Sequence, residues 1–353
     1  MNISSLSGNT FSGVSLYLLI QWLEVGGLTF GTLISRLASE VSGSDPNTVI
    51  SIVHGVQSML SERQFRDRVL RVLGVESFQE VLRLYLDGKL GVDYILSKLQ
   101  EALGGKLEMF RVEVERMVSE GVVPIPFFST FYPRRLLEYE VRRSGSKLYP
   151  PLALYVRLPG GSGLPDLNAR AVAVVGTRKC TVWGRRTAGE TGSLVARLGF
   201  VLVTGLAECI DEAASRAALK AGGVVVGVRP WLKPLSTPRE TRDVAEKAVV
   251  VAENYRKPRT GSIAKLYYLR NRLIAGLSEL VIVVEARPGG GSMHQIEWSI
   301  KAGRKLVVFK HPHENTEYYE AYMKYAKYAE RGRAMIVENI GELEEHLKKL
   351  QAP

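Results

Sequence analysis

The sequence predicts a two-domain α/β protein in which a small all-helical domain precedes a doubly wound, mostly parallel sheet. Three observations predict it. In the first third apolar residues recur at helical spacing between glycines, from Ala171 onward short β-branched runs alternate with amphipathic stretches, and the charge is divided between the two parts. Residues 1–120 hold 11 Lys and Arg against 14 Asp and Glu, a net of −3, whereas residues 121–353 hold 36 against 22, a net of +14. A basic domain joined to a mildly acidic one points to a polyanionic partner for the second. With 353 residues, 46% hydrophobic and 24% charged, the chain has apolar material for two domains, which excludes disorder and fibrous repeats. Its best early apolar run, SLYLLIQW at 15–22, falls short of the roughly 18–20 residues a spanning helix needs, so no membrane segment is expected. The first basic residue is Arg36, so that run does not read as a secretory signal, and a cytoplasmic protein is expected. Two cysteines make neither a disulfide framework nor a four-thiolate zinc site, and no cofactor or metal is expected.

Taken in order, Leu16, Leu19, Ile20 and Leu23, then Leu33, Ile34 and Leu37, mark helices broken at Gly26-Gly27. Further helices are expected in SERQFRDRVLRVL, FQEVLRLYL and VDYILSKLQEAL, with Gly74, Gly88 and Gly104-Gly105 between them. These make residues 1–120 the helical domain. Residues 121–165, rich in proline, aromatics and glycine, read as a linker that docks on the sheet domain, which is assigned to 166–353. There AVAVV (171–175), FVLVT (200–204), VVVGV (224–228), AVVVA (248–252), LVIVVEA (280–286) and KLVVF (305–309) are apolar throughout, as strands buried on both faces are. Amphipathic stretches that stop at glycine separate several of them, and AMIVENIGELEEHLKKL adds a last strand and helix. Right-handed crossovers then collect the strand-to-helix turns on one edge, where such sheets hold ligands.

Several segments at that edge could carry chemistry. The turn after the first run offers Gly176, Thr177, Arg178, Lys179 and Thr181 at a helix start, a phosphate clamp; the alternative is an ordinary surface arginine. It lacks the G-x-G-x-x-G spacing, so a nicotinamide dinucleotide is not indicated. Thr204-Gly205 precedes Asp211, which is a plain N-cap or a binding group. Gly289, Gly290, Gly291 and Ser292 leave backbone amides open to a phosphate, or merely loosen a loop, and Ser292 is the candidate cap of the next helix. Lys265, Arg270, Asn271 and Arg272 lie beside Tyr267 and Tyr268: cations to follow phosphates and rings to stack on bases, or a solvated charged face. Cys180 and Cys209 read as buried or idle thiols, and His311-Pro312-His313 as a surface loop.

VAVVGTRKCTVWGRRTA, TGLAECIDEAASRAALKAGG, RNRLIAGLSELVIVVEA and GGGSMHQIEWSIKAGRKLVVF, in this order, resemble the DNA processing protein A family, also called Smf, over roughly residues 120–312. The resemblance implies a Rossmann-like core that binds single-stranded DNA without being an enzyme, pairs as a homodimer through that core, and helps load a RecA-type recombinase. It implies that Arg178, Arg270 and Arg272 line the DNA pocket. Where the family has G-L-A-R-G-I-D-x-x-A-H, this chain has Glu208 for the arginine, Cys209 for the glycine and Ser215 for the histidine; VRPWLKPLSTPRETRDVAEK stands where the family has a glycine-led turn followed by Y-P. A second reading is a nucleotide phosphoribohydrolase of the lysine-decarboxylase-like type, for which Pro288 to Ser292 would cradle phosphate, Glu297 would reach the ribose and His294 would assist. A third is a protein that senses a free nucleotide.

Overall fold

The computed structural model describes residues 46–351 except 60–61, 128, 130, 142–149, 161, 236 and 259–261. The helices expected around Gly26-Gly27 lie outside the described residues. The chain forms two compact units: residues 1–167 with 252–260, and residues 168–251 with 261–353.

In the first unit α1 (Pro46–Met59) opens on a proline, whose missing N–H costs nothing at a first helical position. It buries Val49, Ile52, Val53 and Val56. Helix α2 (Arg63–Leu73) turns Phe65, Val69 and Leu73, four residues apart, onto one face, and Gly74 at φ 70° stops it. Ser77 caps α3 (Phe78–Leu86) by accepting from the N–H of Glu80; α4 (Val92–Leu103) and α5 (Leu107–Ser119) follow. The stretch read as a linker then forms strand β1 (Val122–Pro126), helix α6 (Arg134–Val141) and strand β2 (Ala153–Arg157). β1 and β2 pair antiparallel, from Val122 opposite Arg157 to Pro126 opposite Ala153. β1 is an edge strand, which is where Pro124 and Pro126 can be tolerated without breaking a ladder. A polar network runs from the interior of this unit to its surface: His54 Nδ1 meets the Tyr155 hydroxyl at 2.7 Å and Nε2 meets Glu113 at 2.9 Å, Glu113 also holds Arg256, and the Tyr255 hydroxyl donates to Glu120 at 2.6 Å.

The second unit contains β3 (Ala171–Val175), α7 (Val182–Arg197), β4 (Val201–Thr204), α8 (Ile210–Lys220), β5 (Val225–Lys233), α9 (Arg242–Lys247) and the start of β6 (Val249–Arg256). It continues through α10 (Ile263–Leu277), β7 (Leu280–Val283), α11 (Gly291–Lys301), β8 (Lys305–Phe309), α12 (Glu317–Glu330), β9 (Met335–Val337) and α13 (Ile340–Gln351). The strand order is β6-β5-β4-β3-β7-β8-β9, with parallel pairing of β5 on β4, β4 on β3, β3 on β7, β7 on β8 and β8 on β9. The mostly parallel α/β fold expected from the apolar runs is therefore present. Val172, Val174, Leu202, Val225, Leu280, Ile282 and Val307 form its core with Ala188, Val195, Ile210 and Ala214 from the helices. Gly192 lets α7 lie directly on α8, since a Cβ there would stand 2.1 Å from the Ala214 carbonyl oxygen. β5 runs past the expected 224–228 to Lys233 and carries Arg229 into buried surroundings. β7 is shorter than expected, ending at Val283, so Glu285 falls in the turn that follows.

Candidate functional site

Chain order reverses at β3, which lies between β4 and β7, so the turns after β3 and β7 flank the place where open α/β sheets admit ligands. Here the protein fills that place itself. Glu285, 3% exposed, accepts from the Thr181 N–H at 2.8 Å and the Thr181 hydroxyl at 2.7 Å, and its backbone oxygen accepts from the Thr177 N–H. Its carboxylate also meets His311 Nε2 at 3.0 Å, and Gly184 is required because a Cβ would stand 2.5 Å from that carboxylate. Thr181 caps α7 through its side-chain oxygen, which accepts from the Gly184 N–H at 3.0 Å. Thus Glu285 occupies the helix terminus where a phosphate was expected, and Thr177 and Thr181 are committed to it. His311, read as part of a surface loop, is buried against Trp183 and stacked on Tyr318 because it serves this carboxylate. His313 does lie exposed.

The cationic residues gather instead around Tyr267: Arg178 from the turn after β3, Arg229 from the middle of β5 and Arg270 from α10. Tyr267, in the first turns of α10, has three guanidiniums around its ring: Arg229 at 5.2 Å from the centroid, Arg270 at 5.5 Å and Arg178 at 5.8 Å. Arg229 donates to the Tyr267 hydroxyl at 2.7 Å and to the Gly205 carbonyl at 3.2 Å; Arg270 donates to the Val228 carbonyl at 2.7 Å. Gly205 leaves room for the Arg270 guanidinium, since a Cβ there would come within 2.3 Å of its Nη1 and force it to shift. Arg229 and Arg270 are 3% and 6% exposed, whereas Arg178 is exposed. Burial first, and then the charge of Arg229, draws Arg270 down to about 9, and burial also lowers Arg229. Arg270 therefore still carries its proton at neutral pH, with the Asp211 charge acting against the burial of both arginines. Asp211 is neither a plain N-cap nor exposed: it sits in the first turn of α8, accepts from the N–H groups of Gly205 and Ala207, and is raised by burial against the pull of Arg270. Thr204 is buried at the end of β4.

Of the expected site residues, the structure brings Arg178, Gly205 and Arg270 together and adds Arg229. The signal for Arg229 was present in the sequence as an arginine inside an apolar run. Arg272 is buried but does not face Tyr267, because residues two apart on a helix point to different sides. Asn271 donates to the Gly291 carbonyl at 3.4 Å and accepts, through its own carbonyl, from Gln295, so it ties α10 to α11. Lys265 and Lys179 are exposed, and Gly176 packs under Ile210, where a Cβ would stand 2.6 Å from that side chain. Gly290 rather than Ser292 caps α11; Ser292 is buried in its first turn, and Gly289 takes φ 69°. Tyr268 packs on Trp298 and His294, and Tyr267 is engaged by arginines, so the structure gives the two rings partners other than bases. His294 and Glu297 pair with each other at 3.7 Å, both about half exposed. Cys180 and Cys209 are not idle thiols: they form a disulfide, Cα to Cα 5.9 Å, that joins the turn after β3 to the start of α8. One bridge needs only two cysteines, and the parallel sheet brings these two turns to the same rim. Among the described residues no group of three His, Cys, Asp or Glu could hold a metal ion, and no helix is long and apolar enough to cross a membrane.

A family model described as DNA recombination-mediator protein A matches residues 125–348, more than half of the chain. The chain belongs to that family. Among its relatives, DNA processing protein DprA of Bacillus subtilis is 29% identical over 216 residues, which cover 59% of this chain and 68% of that protein. Protein Smf of Escherichia coli is 30% identical over 192 residues, covering 53% of this chain and 48% of the relative, so the chain spans about half of that protein's length. The X-ray structure of DNA processing protein A from Streptococcus pneumoniae shares the fold at a TM-score of 0.55 and 21% identity, covering 78% of this chain and 94% of the other. The Helicobacter pylori protein, described for its single-stranded DNA binding mode, gives a TM-score of 0.51 at 23% identity over 65% of this chain and 96% of the other. Within this recombination-mediator family the departures at 208, 209 and 215 now have surroundings. Cys209 adopts φ 70°, a conformation natural to the glycine it replaces, and is held there by the disulfide. Ser215 returns its hydroxyl to the Asp211 carbonyl at 2.7 Å, and Glu208 is half-buried beside the turn.

Proposed function

We propose that this protein binds single-stranded DNA in the cytoplasm without cleaving it, through the domain spanning residues 166–353, and that the phosphates lie at the rim of the sheet beside Arg178, Arg229 and Arg270. The observation that carries this reading is the convergence of Arg178, Arg229 and Arg270 on Tyr267, a cluster of forked cations, two buried and one exposed, at the rim of the sheet. The net charge of +14 on residues 121–353 supports it by drawing a polyanion to that rim. Two further expectations accompany it: pairing as a homodimer through the sheet domain, and delivery of the bound strand to a RecA-type recombinase. Titration with labelled oligonucleotides at several salt concentrations tests the reading. Single strands should bind more tightly than duplex, with the logarithm of affinity falling by about 0.7 per phosphate contact for each logarithm of salt. Arg178→Ala should weaken binding on all sequences and flatten that slope by about one contact. Equal affinity for single strand and duplex, with Arg178→Ala silent, would remove the reading.

A further inference from the structure

The two sulfurs of the Cys180–Cys209 bridge are unequally placed. Cys180 is half-buried in the turn after β3, within reach of a reagent in solution, whereas Cys209 is 6% exposed. Cys209 is also the better seat for negative charge. The Cys180 N–H donates to its sulfur at 3.3 Å, Arg185 Nη2 donates to it at 3.6 Å, and α8 starts from it with the positive end of the helix dipole. The carboxylates around it are Glu208, half-buried and next in the chain, Asp211, which accepts from the Gly205 and Ala207 amides, and Glu212. Glu212 accepts from Arg185 at 3.3 Å and from Arg216 at 3.0 Å, so Arg185 is shared between that carboxylate and the sulfur. The loop that the bridge closes has a second peculiarity. Leu206 at φ 50° and Cys209 at φ 70° both hold a side chain where glycine is at home, and between β4 and α8 the same loop offers the Gly205 carbonyl to Arg229 at 3.2 Å.

We propose that this bridge is a thiol–disulfide exchange site, opened by a dithiol at Cys180, and that its state sets how firmly the rim beside Gly205 holds a strand. The first half stands on the bridge alone, and the second rests on the DNA-binding reading. In the first step a thiolate of the dithiol attacks Cys180 Sγ, the bond between the two protein sulfurs breaks, and its electron pair leaves on Cys209 Sγ. The second sulfur of the dithiol then displaces Cys180, so the dithiol ends as a disulfide, its two protons pass to Cys209 and Cys180, and the protein is reduced by two electrons. A sulfur whose departing charge is stabilised leaves faster, which directs the attack to Cys180. Compartments that keep thiols reduced hold few permanent bridges, and those found there are mostly catalytic or redox-sensing. Once the bridge is open, no bond holds Cys209 at φ 70°, and the loop at 205–209 relaxes toward backbone that a side chain prefers. The Gly205 carbonyl then fixes Arg229 less firmly, and ordering that was done beforehand has to be done on binding.

Two measurements on the full chain separate the halves. In the first, the folded protein is treated with glutathione, trapped with iodoacetamide, and its peptides are weighed. Glutathione should sit on Cys180 and the alkyl group on Cys209, in about tenfold excess over the reverse, and Arg185→Gln should slow opening by dithiothreitol by about threefold to tenfold while Arg185→Lys keeps most of the rate. Adducts divided evenly between the sulfurs, opening only in denaturant, or a rate indifferent to Arg185→Gln overturns the exchange site. In the second, an oligothymidylate is titrated against the oxidised and the dithiothreitol-reduced protein. Reduction should weaken binding by about threefold or more. Cys180→Ala should bind as weakly as the reduced protein in both conditions, and Cys180→Ala with Cys209→Gly, which restores a residue at home at φ 70°, as tightly as the oxidised one. Equal affinity before and after reduction, or a double variant as weak as the single one, overturns the coupling and leaves the exchange chemistry standing. Failure of the oxidised protein to bind any strand overturns the DNA reading and the coupling with it, while the peptide masses still decide the exchange site.

Discussion

Cys209 shows how one residue can be asked to do two things. At φ 70° a side chain other than glycine is disfavoured by about 1–3 kcal/mol, and the bridge to Cys180 holds the residue there. A bridge closing a loop of this length contributes about 2–4 kcal/mol. Cys180→Ala should therefore lower stability by that amount, Cys180→Ala with Cys209→Gly should recover about 1 kcal/mol, and reductant should lower the melting temperature of the unaltered protein alone. Melting curves with and without reductant check all three; a bridge-free variant that still responds to reductant would contradict them. The sequence made both cysteines visible but not their pairing, because 29 residues of separation say nothing about the distance between two turns until the strands are in register. Arg229 is a similar case. Its position inside an apolar run was legible, but its neighbours Arg178 and Arg270 are brought to it only by the sheet. Glu285 was hidden for the opposite reason: it read as the last part of a strand, and only the early end of β7 at Val283 turns it into the group that fills the crevice.

At the scale of elements, the strands of the second unit were legible because a strand covered on both faces must be apolar throughout, and β3 and β8 coincide with their apolar runs. β1 and β2 were not. Prolines that argue against a strand in the middle of a sheet are compatible with one at its edge, and edge position is a property of the fold rather than of the segment. Helix contact follows a comparable logic in α7. Gly192 lies against the Ala214 backbone, whereas at Gly189 a Cβ would find its nearest neighbour at 3.9 Å. Gly192→Ala should therefore destabilise by about 1–3 kcal/mol through overpacking, and Gly189→Ala should be neutral or gain about 0.5–1 kcal/mol from helix propensity. Urea midpoints for the pair decide it; equal effects would mean that α7 does not touch α8 at Gly192.

At the scale of the molecule, acid should act on the first unit through Glu113. Burial raises this carboxyl, but hydrogen bonds from His54 and Arg256 and their charges outweigh it and bring the group down to about 2. A depressed carboxyl contributes stability above its unfolded value of 4.5, and that contribution is lost as pH falls through about 2. Glu113→Gln should cost about 1–3 kcal/mol at pH 6, and the gap to the unaltered protein should close between pH 4.5 and 2. Denaturant unfolding at a series of pH values measures it, and a gap independent of pH would assign the loss to packing alone. Arg256, which serves Glu113, and Tyr255, which serves Glu120, come from residues 252–260, a short piece of the first unit delivered from the middle of the second unit's sequence. A protease that nicks the backbone near residue 165 would consequently fail to release a complete helical half: the amino-terminal fragment would leave its own partners behind on the other piece. Gene truncations made at that boundary would inherit the same deficit.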